Sequence, residues 1–244
     1  MKVVIISIPF ILIYIFSMII APWFIYSFSW KDVHQVWLDW QTLNTGVLAL
    51  ISSLIAFYSV KHQQLRSEEK EFQAAKALLP DSLSELCDYT EKAGEVLKYA
   101  LEMISQDLHR NCNGLGIDIP SKPTSHINII STIIKNSDDK YAESFTIFIQ
   151  KMQVFHARLC NLNNSFSSDS RTVILDINIL SDLILLAELH AFISHYFDFA
   201  RDNNFDEISS FISRERIDGS LLALGVFVEN YPKLKPMLDR RKPK

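Results

Sequence analysis

No charged side chain occurs between Val3 and Trp30, and none between Trp40 and Val60. Stretches with so little to hold them in water exclude an ordinary soluble fold for the first quarter of the chain. Glycine is scarce, 6 in 244 residues, and Gly114-Leu115-Gly116 lacks the third glycine and the preceding strand of a nucleotide-binding fingerprint. The three cysteines, Cys87, Cys112 and Cys160, are unevenly spaced and odd in number, which suits reduced thiols in a cytosol and not a disulfide framework. No CxxC or Cys/His pair suggests zinc. Basic residues are outnumbered, 24 Lys and Arg against 28 Asp and Glu; setting aside Lys2, Lys31, Asp32 and Asp39 leaves 22 against 26 from Lys61 onward. That mildly acidic balance argues against a broad nucleic-acid surface.

What is present is two runs of membrane length. As a helix at about 1.5 Å per residue, Val3 to Trp30 reaches roughly 42 Å, beyond the roughly 30 Å of a bilayer's hydrocarbon core, and Trp40 to Val60 suffices for one tilted crossing. The sequence predicts a transmembrane hairpin over residues 1–60, with spans at 3–25 and 41–60 joined by a short polar connection. Met1-Lys2 before an apolar run resembles a signal peptide, but the run is too long and lacks an A-x-A-like cleavage site, since Pro22 follows Ala21 directly; an uncleaved anchor fits better. Pro9 and Pro22 are tolerated in a membrane segment, and Trp23, Phe24, Tyr26, Phe28, Trp30, Trp37 and Trp40 form an aromatic belt at one interface. Lys2 lies before the hairpin and Lys61, Arg66, Lys70 and Lys76 after it, so both termini are expected in the cytoplasm. Thr45, Ala49, Ser52, Ser53 and Ala56 form a small-residue face on the second span, with Gln41 and Asn44 near its outer end. Such a face packs against the first span or drives self-association around a polar-lined path.

Beyond the hairpin a mainly α cytoplasmic bundle is expected. Residues 61–80 continue the second span as a helical stalk, with Leu65, Phe72 and Leu79 at seven-residue spacing, either as a core stripe or as a short coiled-coil seam. Pro80 should end or kink it, with Asp81 or Ser82 capping the next helix. The domain proper spans 81–232. Leu83, Leu86, Cys87, Thr90, Ala93, Leu97, Leu101, Ile104 and Leu108 mark one helix face, and residues 111–125 read as a loop. A short helix is expected over 126–135, capped by Thr124 or Ser125, although its five isoleucines also suit a strand. A clearer helix covers 139–162, with Tyr141, Phe145, Phe148, Met152, Phe155 and Leu159 at helical spacing. Residues 172–200 are apolar enough to mimic a third crossing, but Asp176, Asp182 and Glu188, at roughly 2.5 to 3.5 kcal/mol each on insertion scales, assign them to the bundle centre. Short helices over 204–216 and 220–230, divided by Asp218-Gly219, and a stop at Pro232 and Pro236 complete the domain.

The tail, 233–244, is basic. Its Lys233, Lys235, Arg240, Arg241, Lys242 and Lys244 could contact anionic lipid or nucleic acid, or act only as a solubilising end. Asp182, Glu188, His190 and His195 are the densest cluster of chemically capable side chains, but chelation along a helix needs ligands three or four apart, and these are spaced two, five and six apart. His195 reads as a hydrogen-bonded boundary histidine and Cys87 as a small buried residue. No G-x-S-x-G, Walker loop or H-E-x-x-H occurs, nor an Arg followed four to six residues later by the His of an HEPN-type ribonuclease. No catalytic, cofactor or metal residue is assigned, and no enzyme is expected; a hydrolase around Glu188 and His195 is the reading to be tested against that.

Two patches carry a resemblance. Trp40-Gln41-Thr42-Leu43 opening the Gly46-Val47-Leu48-Ala49-Leu50 segment, and Ala77-Leu78-Leu79-Pro80 with Ser82-Leu83-Ser84-Glu85-Leu86-Cys87 and Tyr89, resemble a group of bacterial membrane proteins of undefined activity. The layout, a two-helix hairpin followed by a helical domain, resembles the transmembrane effectors of bacterial anti-phage systems, notably those encoded beside retrons. That resemblance implies an inner-membrane, abortive-infection effector without cofactor or small-molecule substrate. Its partners would be the lipid bilayer, further copies of itself, and a retron reverse transcriptase with its RNA-linked DNA, which would hold it silent. A membrane anchor or scaffold recruiting a cytoplasmic partner is the alternative.

Overall fold

The computed structural model describes residues 13–14, 16–25, 29–106, 115–166, 175–201 and 212–240. Among them all regular structure is helical: a π-helical turn Phe16–Ile20, then α1 (Ala21–Ile25), α2 (Trp30–Asp39), α3 (Gln41–Ser105), α4 (Ser125–Asn136), α5 (Asp139–Ser165), α6 (Asp176–Arg201), α7 (Arg214–Ala223), a 3-10 turn Val228–Asn230, and α8 (Leu234–Arg240). The chain divides into two units, 1–66 and 67–244.

In the first unit, residues 3–12 and Ile15 of the expected first span lie outside the described residues. Residues 16–25 are not one regular α-helix: they pass from a π-helical turn into α1 just before Pro22, which has no N–H to donate to an α-helical ladder. The expected polar connection is also partly helical. Residues 30–39 form α2, in which the Gln35 amide donates to Asp39 one turn on at 3.1 Å, and only Trp40 separates α2 from α3. Trp23 and Trp30 sit with ring centroids 5.3 Å apart, within reach of a favourable aromatic pair.

The second unit is built around α6. Its side chains are buried on nearly every face, as apolar residues spread around most of its circumference require, and α5, α7 and α8 pack against it. On α5 the helical spacing holds: Phe145, Phe148, Met152, Phe155 and Leu159 are all buried and Tyr141 partly so. Phe145 stacks on Tyr196 at 4.1 Å between centroids, and the buried Tyr196 and Ser144 hydroxyls are 3.0 Å apart. Helix α4 forms where a helix was expected, with Thr124 at its N-cap but no side-chain capping bond, and the hydroxyl of the next residue, Ser125, donates to Glu85 on α3.

Three expectations about helix ends are corrected. Pro80 neither ends α3 nor opens a new cap; it lies inside the helix. The interior-proline cost of about 3 kcal/mol is outweighed by burial of Leu79, Leu83 and Leu86, each worth about 1.5 to 3 kcal/mol, all of them fully buried. The expected stalk is accordingly divided: 61–67 and Leu65 are exposed, whereas Phe72 packs on the core and Ala75 and Leu79 belong to it, so the seven-residue spacing is a core stripe from Phe72 onward. Asp218-Gly219 does not divide two helices but lies within α7, where Arg214 bonds Asp218 at 2.9 Å one turn on and Ile217, Ser220 and Leu221 are buried. Residues 204–211 of the expected preceding helix lie outside the described residues. Pro236 does not stop regular structure; it is the third residue of α8, in the first turn, where a missing N–H costs no intrahelical bond.

Helix α7 closes on a Schellman turn. The Val226 N–H donates to the Leu221 carbonyl at 2.8 Å and the Gly225 N–H to Leu222 at 3.0 Å, with Gly225 at φ +70°. The Leu224 carbonyl then accepts from the Lys98 ammonium at 3.0 Å, tying this turn to α3.

Candidate functional site

The most apolar 18-residue stretch of α3 is only 6% buried, whereas that of α6 is 72% buried. Both are long and apolar enough to cross a bilayer; only the α3 stretch leaves its side chains uncovered. Leu48, Leu50, Ile55, Phe57 and Val60 are each about 60% exposed, far beyond the scattered apolar residues of a soluble surface. The five small residues singled out on this segment, Thr45, Ala49, Ser52, Ser53 and Ala56, are all exposed. Thr45 donates to the Gln41 carbonyl at 2.9 Å and Ser53 to Ala49 at 2.8 Å, so these hydroxyls are satisfied within their own helix and leave a smooth face.

Asn44, also noted from the sequence, is buried at the start of α3. Its side-chain carbonyl accepts from the Tyr14 hydroxyl at 2.6 Å and its amide donates to the Trp37 carbonyl at 3.3 Å. One side chain thereby links the first apolar segment, α2 and α3. Tyr14 carried no sequence signal for this role, since a partner thirty positions away has no local spacing.

Of the basic tail, Lys233 bonds Asp176 at 2.6 Å, and this ammonium holds the Asp176 carboxyl below the usual carboxylate range. Lys235 and Arg240 are exposed on α8, and Arg241, Lys242 and Lys244 lie outside the described residues. The α6 cluster consists of pairs reaching to other helices. Glu188 accepts from Lys151 at 2.6 Å and Asp182 from Arg158 at 3.2 Å, which lets both acids lie on a buried helix. His190 faces Ser220 at 3.3 Å, and burial lowers its pKa. The Arg216 guanidinium, which can only donate, lies 2.9 Å from His195 Nδ1, fixing that nitrogen as the acceptor. Glu188 and His195 stand two turns apart, a rise of about 10.5 Å.

Long-range packing also gathers groups that the sequence reading left unconnected. Tyr89 on α3 lies 2.9 Å from His156 Nδ1 on α5, and Cys160 lies 3.6 Å from the other ring nitrogen. Burial raises the Tyr89 phenol and lowers the His156 imidazole. His126 is buried with Nδ1 unpaired among the described residues, and burial depresses its pKa to about 4. Cys87 is half-buried with its thiol pushed up by desolvation, as suits an unreactive packing residue. Among the described residues no three His, Cys, Asp or Glu side chains are placed to hold a metal ion. Compared with protein-family models, curated proteins and solved structures, the chain matches none of them.

Proposed function

We propose that this chain is a non-enzymatic bacterial inner-membrane effector of an anti-phage, abortive-infection system. In this reading residues 3–25 and 41–60 are a transmembrane hairpin with both termini cytoplasmic. The helical unit is held by a partner, such as a retron reverse transcriptase with its RNA-linked DNA, and on release the hairpins associate and permeabilise the bilayer. The observation that carries the membrane part is the uncovered apolar surface of α3, which water would penalise and lipid would not. The exposed small-residue face supports the association step, since it allows close helix approach. The resemblance in layout to retron-encoded effectors supports the biological setting.

The test follows membrane potential in infected cells carrying the chain with and without its genetic neighbours. Depolarisation that depends on the chain is expected; killing with unchanged potential refutes the reading. Replacing residues 1–60 by an unrelated two-helix anchor should abolish depolarisation, whereas retained function would identify the chain as an anchor or scaffold.

A further inference from the structure

Cys160 and His156 lie one turn apart on α5, and His156 Nε2 is 3.6 Å from the Cys160 sulfur. The other ring nitrogen, Nδ1, is 2.9 Å from the hydroxyl of Tyr89 on α3, a buried side chain whose ring packs edge-on against Phe155. Burial, together with the positive charge of Lys122, lowers the His156 pKa, so the ring is neutral at pH 7 and carries one N–H and one lone pair. With the N–H on Nδ1 donating to the Tyr89 oxygen, the lone pair on Nε2 faces the thiol. Cys160 is half-buried, and Ala157, three residues earlier on the same helix, is exposed and offers only a methyl group on that side. Cys87 is also half-buried, but it stands near the acids Glu91 and Asp88, which together with desolvation oppose its ionisation.

We propose that Cys160 is a modification site that exchanges with a low-molecular-weight disulfide such as oxidised glutathione, with His156 as its base. Nε2 takes the thiol proton, the sulfur's electron pair forms a bond to one sulfur of the disulfide, and the disulfide's own S–S bond breaks. The departing thiolate recovers the proton from the imidazolium, so Cys160 ends oxidised in a mixed disulfide and half of the small molecule ends reduced as a free thiol. The exchange is stoichiometric and involves no turnover. Three groups make the thiol a better nucleophile than an isolated cysteine: the sulfur itself, a base within reach of it, and Tyr89, which positions that base. The proposal concerns the second unit alone and does not depend on whether residues 41–60 enter lipid.

The detergent-solubilised full chain, carrying Cys112→Ser so that Cys87 and Cys160 are the thiols that remain, is incubated with oxidised glutathione at pH 7. Mass spectrometry of its tryptic peptides follows the adduct at each cysteine with time. Cys160 should be modified faster than Cys87. A free cysteine is only a few per cent thiolate at pH 7, so removing the base in His156→Gln should slow Cys160 roughly tenfold and leave Cys87 unchanged. Cys87 also gauges the fold. If its rate rises in that variant, Tyr89→Phe decides, because it keeps the ring on Phe155 and removes only the hydroxyl; a slower Cys160 beside an unchanged Cys87 is then expected. Cys160 reacting no faster than Cys87 in the parent chain, or a Cys160 rate unaltered by both substitutions, would overturn the proposal.

Discussion

If α3 enters lipid between Gln41 and Val60, two aspartates placed on its exposed face should prevent insertion. Leu50 and Ile55 are 63% and 65% exposed, so Leu50→Asp and Ile55→Asp remove almost no protein contact. On a surface in water such changes stay within about 0.5 kcal/mol each. In a bilayer the ledger differs. The Leu, Ile, Val and Phe side chains between Gln41 and Val60 number nine, and at about −0.3 to −0.6 kcal/mol each they favour insertion by about 3 to 5 kcal/mol. Two mid-helix aspartates at about 2.5 to 3.5 kcal/mol each, together with the two lost apolar terms, shift the balance by about 6 to 8 kcal/mol and reverse its sign. The assay is a carboxyl-terminal alkaline phosphatase fusion, active only outside the cytoplasm. The wild-type fusion should be inactive; in the double variant the first span should remain inserted and carry the reporter outward, switching it on. An active wild-type fusion, or a double variant indistinguishable from wild type, would refute the reasoning.

Other outcomes follow from the second unit. Phe155→Ala removes a fully buried ring packed edge-on against Tyr89 and should cost about 3 to 5 kcal/mol, read as a lowered midpoint in denaturant titration of the solubilised chain. His126 has its folded pKa depressed to about 4, so the unfolded chain takes up its proton first; stability is full above about pH 6.5 and falls as the pH drops towards 4. His156 and His190, also depressed by burial, add to the same slope, and His126→Gln should flatten it in a thermal-melt series across that window. Gly225→Ala should destabilise by about 1 kcal/mol, because φ +70° is strained for any residue with a Cβ and that Cβ would come within 3.3 Å of Lys98 Nζ; a Tm unchanged in the variant would argue against the Schellman turn.

The parts of this fold legible in advance are those written in local spacing. The apolar positions of α5 and the run of α6 announce buried helices because each side chain's neighbours are three and four residues away. Pro80 and Asp218-Gly219 misled for the complementary reason: their breaking tendency is local, while what overrides it is burial supplied by distant helices. Asp182 and Glu188 are buried on α6, as expected of a helix inside the domain, and Asp176 is not; Lys151 and Arg158, which make the burial tolerable, lie on another helix at no characteristic spacing. The same holds for the proposed sites. The small-residue face was readable from the sequence because its members recur within a few positions on one helix, whereas the bond between Tyr14 and Asn44 joins positions thirty apart.

The continuation of α3 through Pro80 dictates where the chain can be cut. A fragment beginning at Asp81 would discard Phe72, Ala75 and Leu79, leaving Phe199 with Phe145 but without the second ring that meets it edge-on and opening a hole at one end of the bundle. Starting at Ser67 keeps that plug in place, so a comparison of two truncations fourteen residues apart would separate a poorly behaved fragment from a poorly behaved protein.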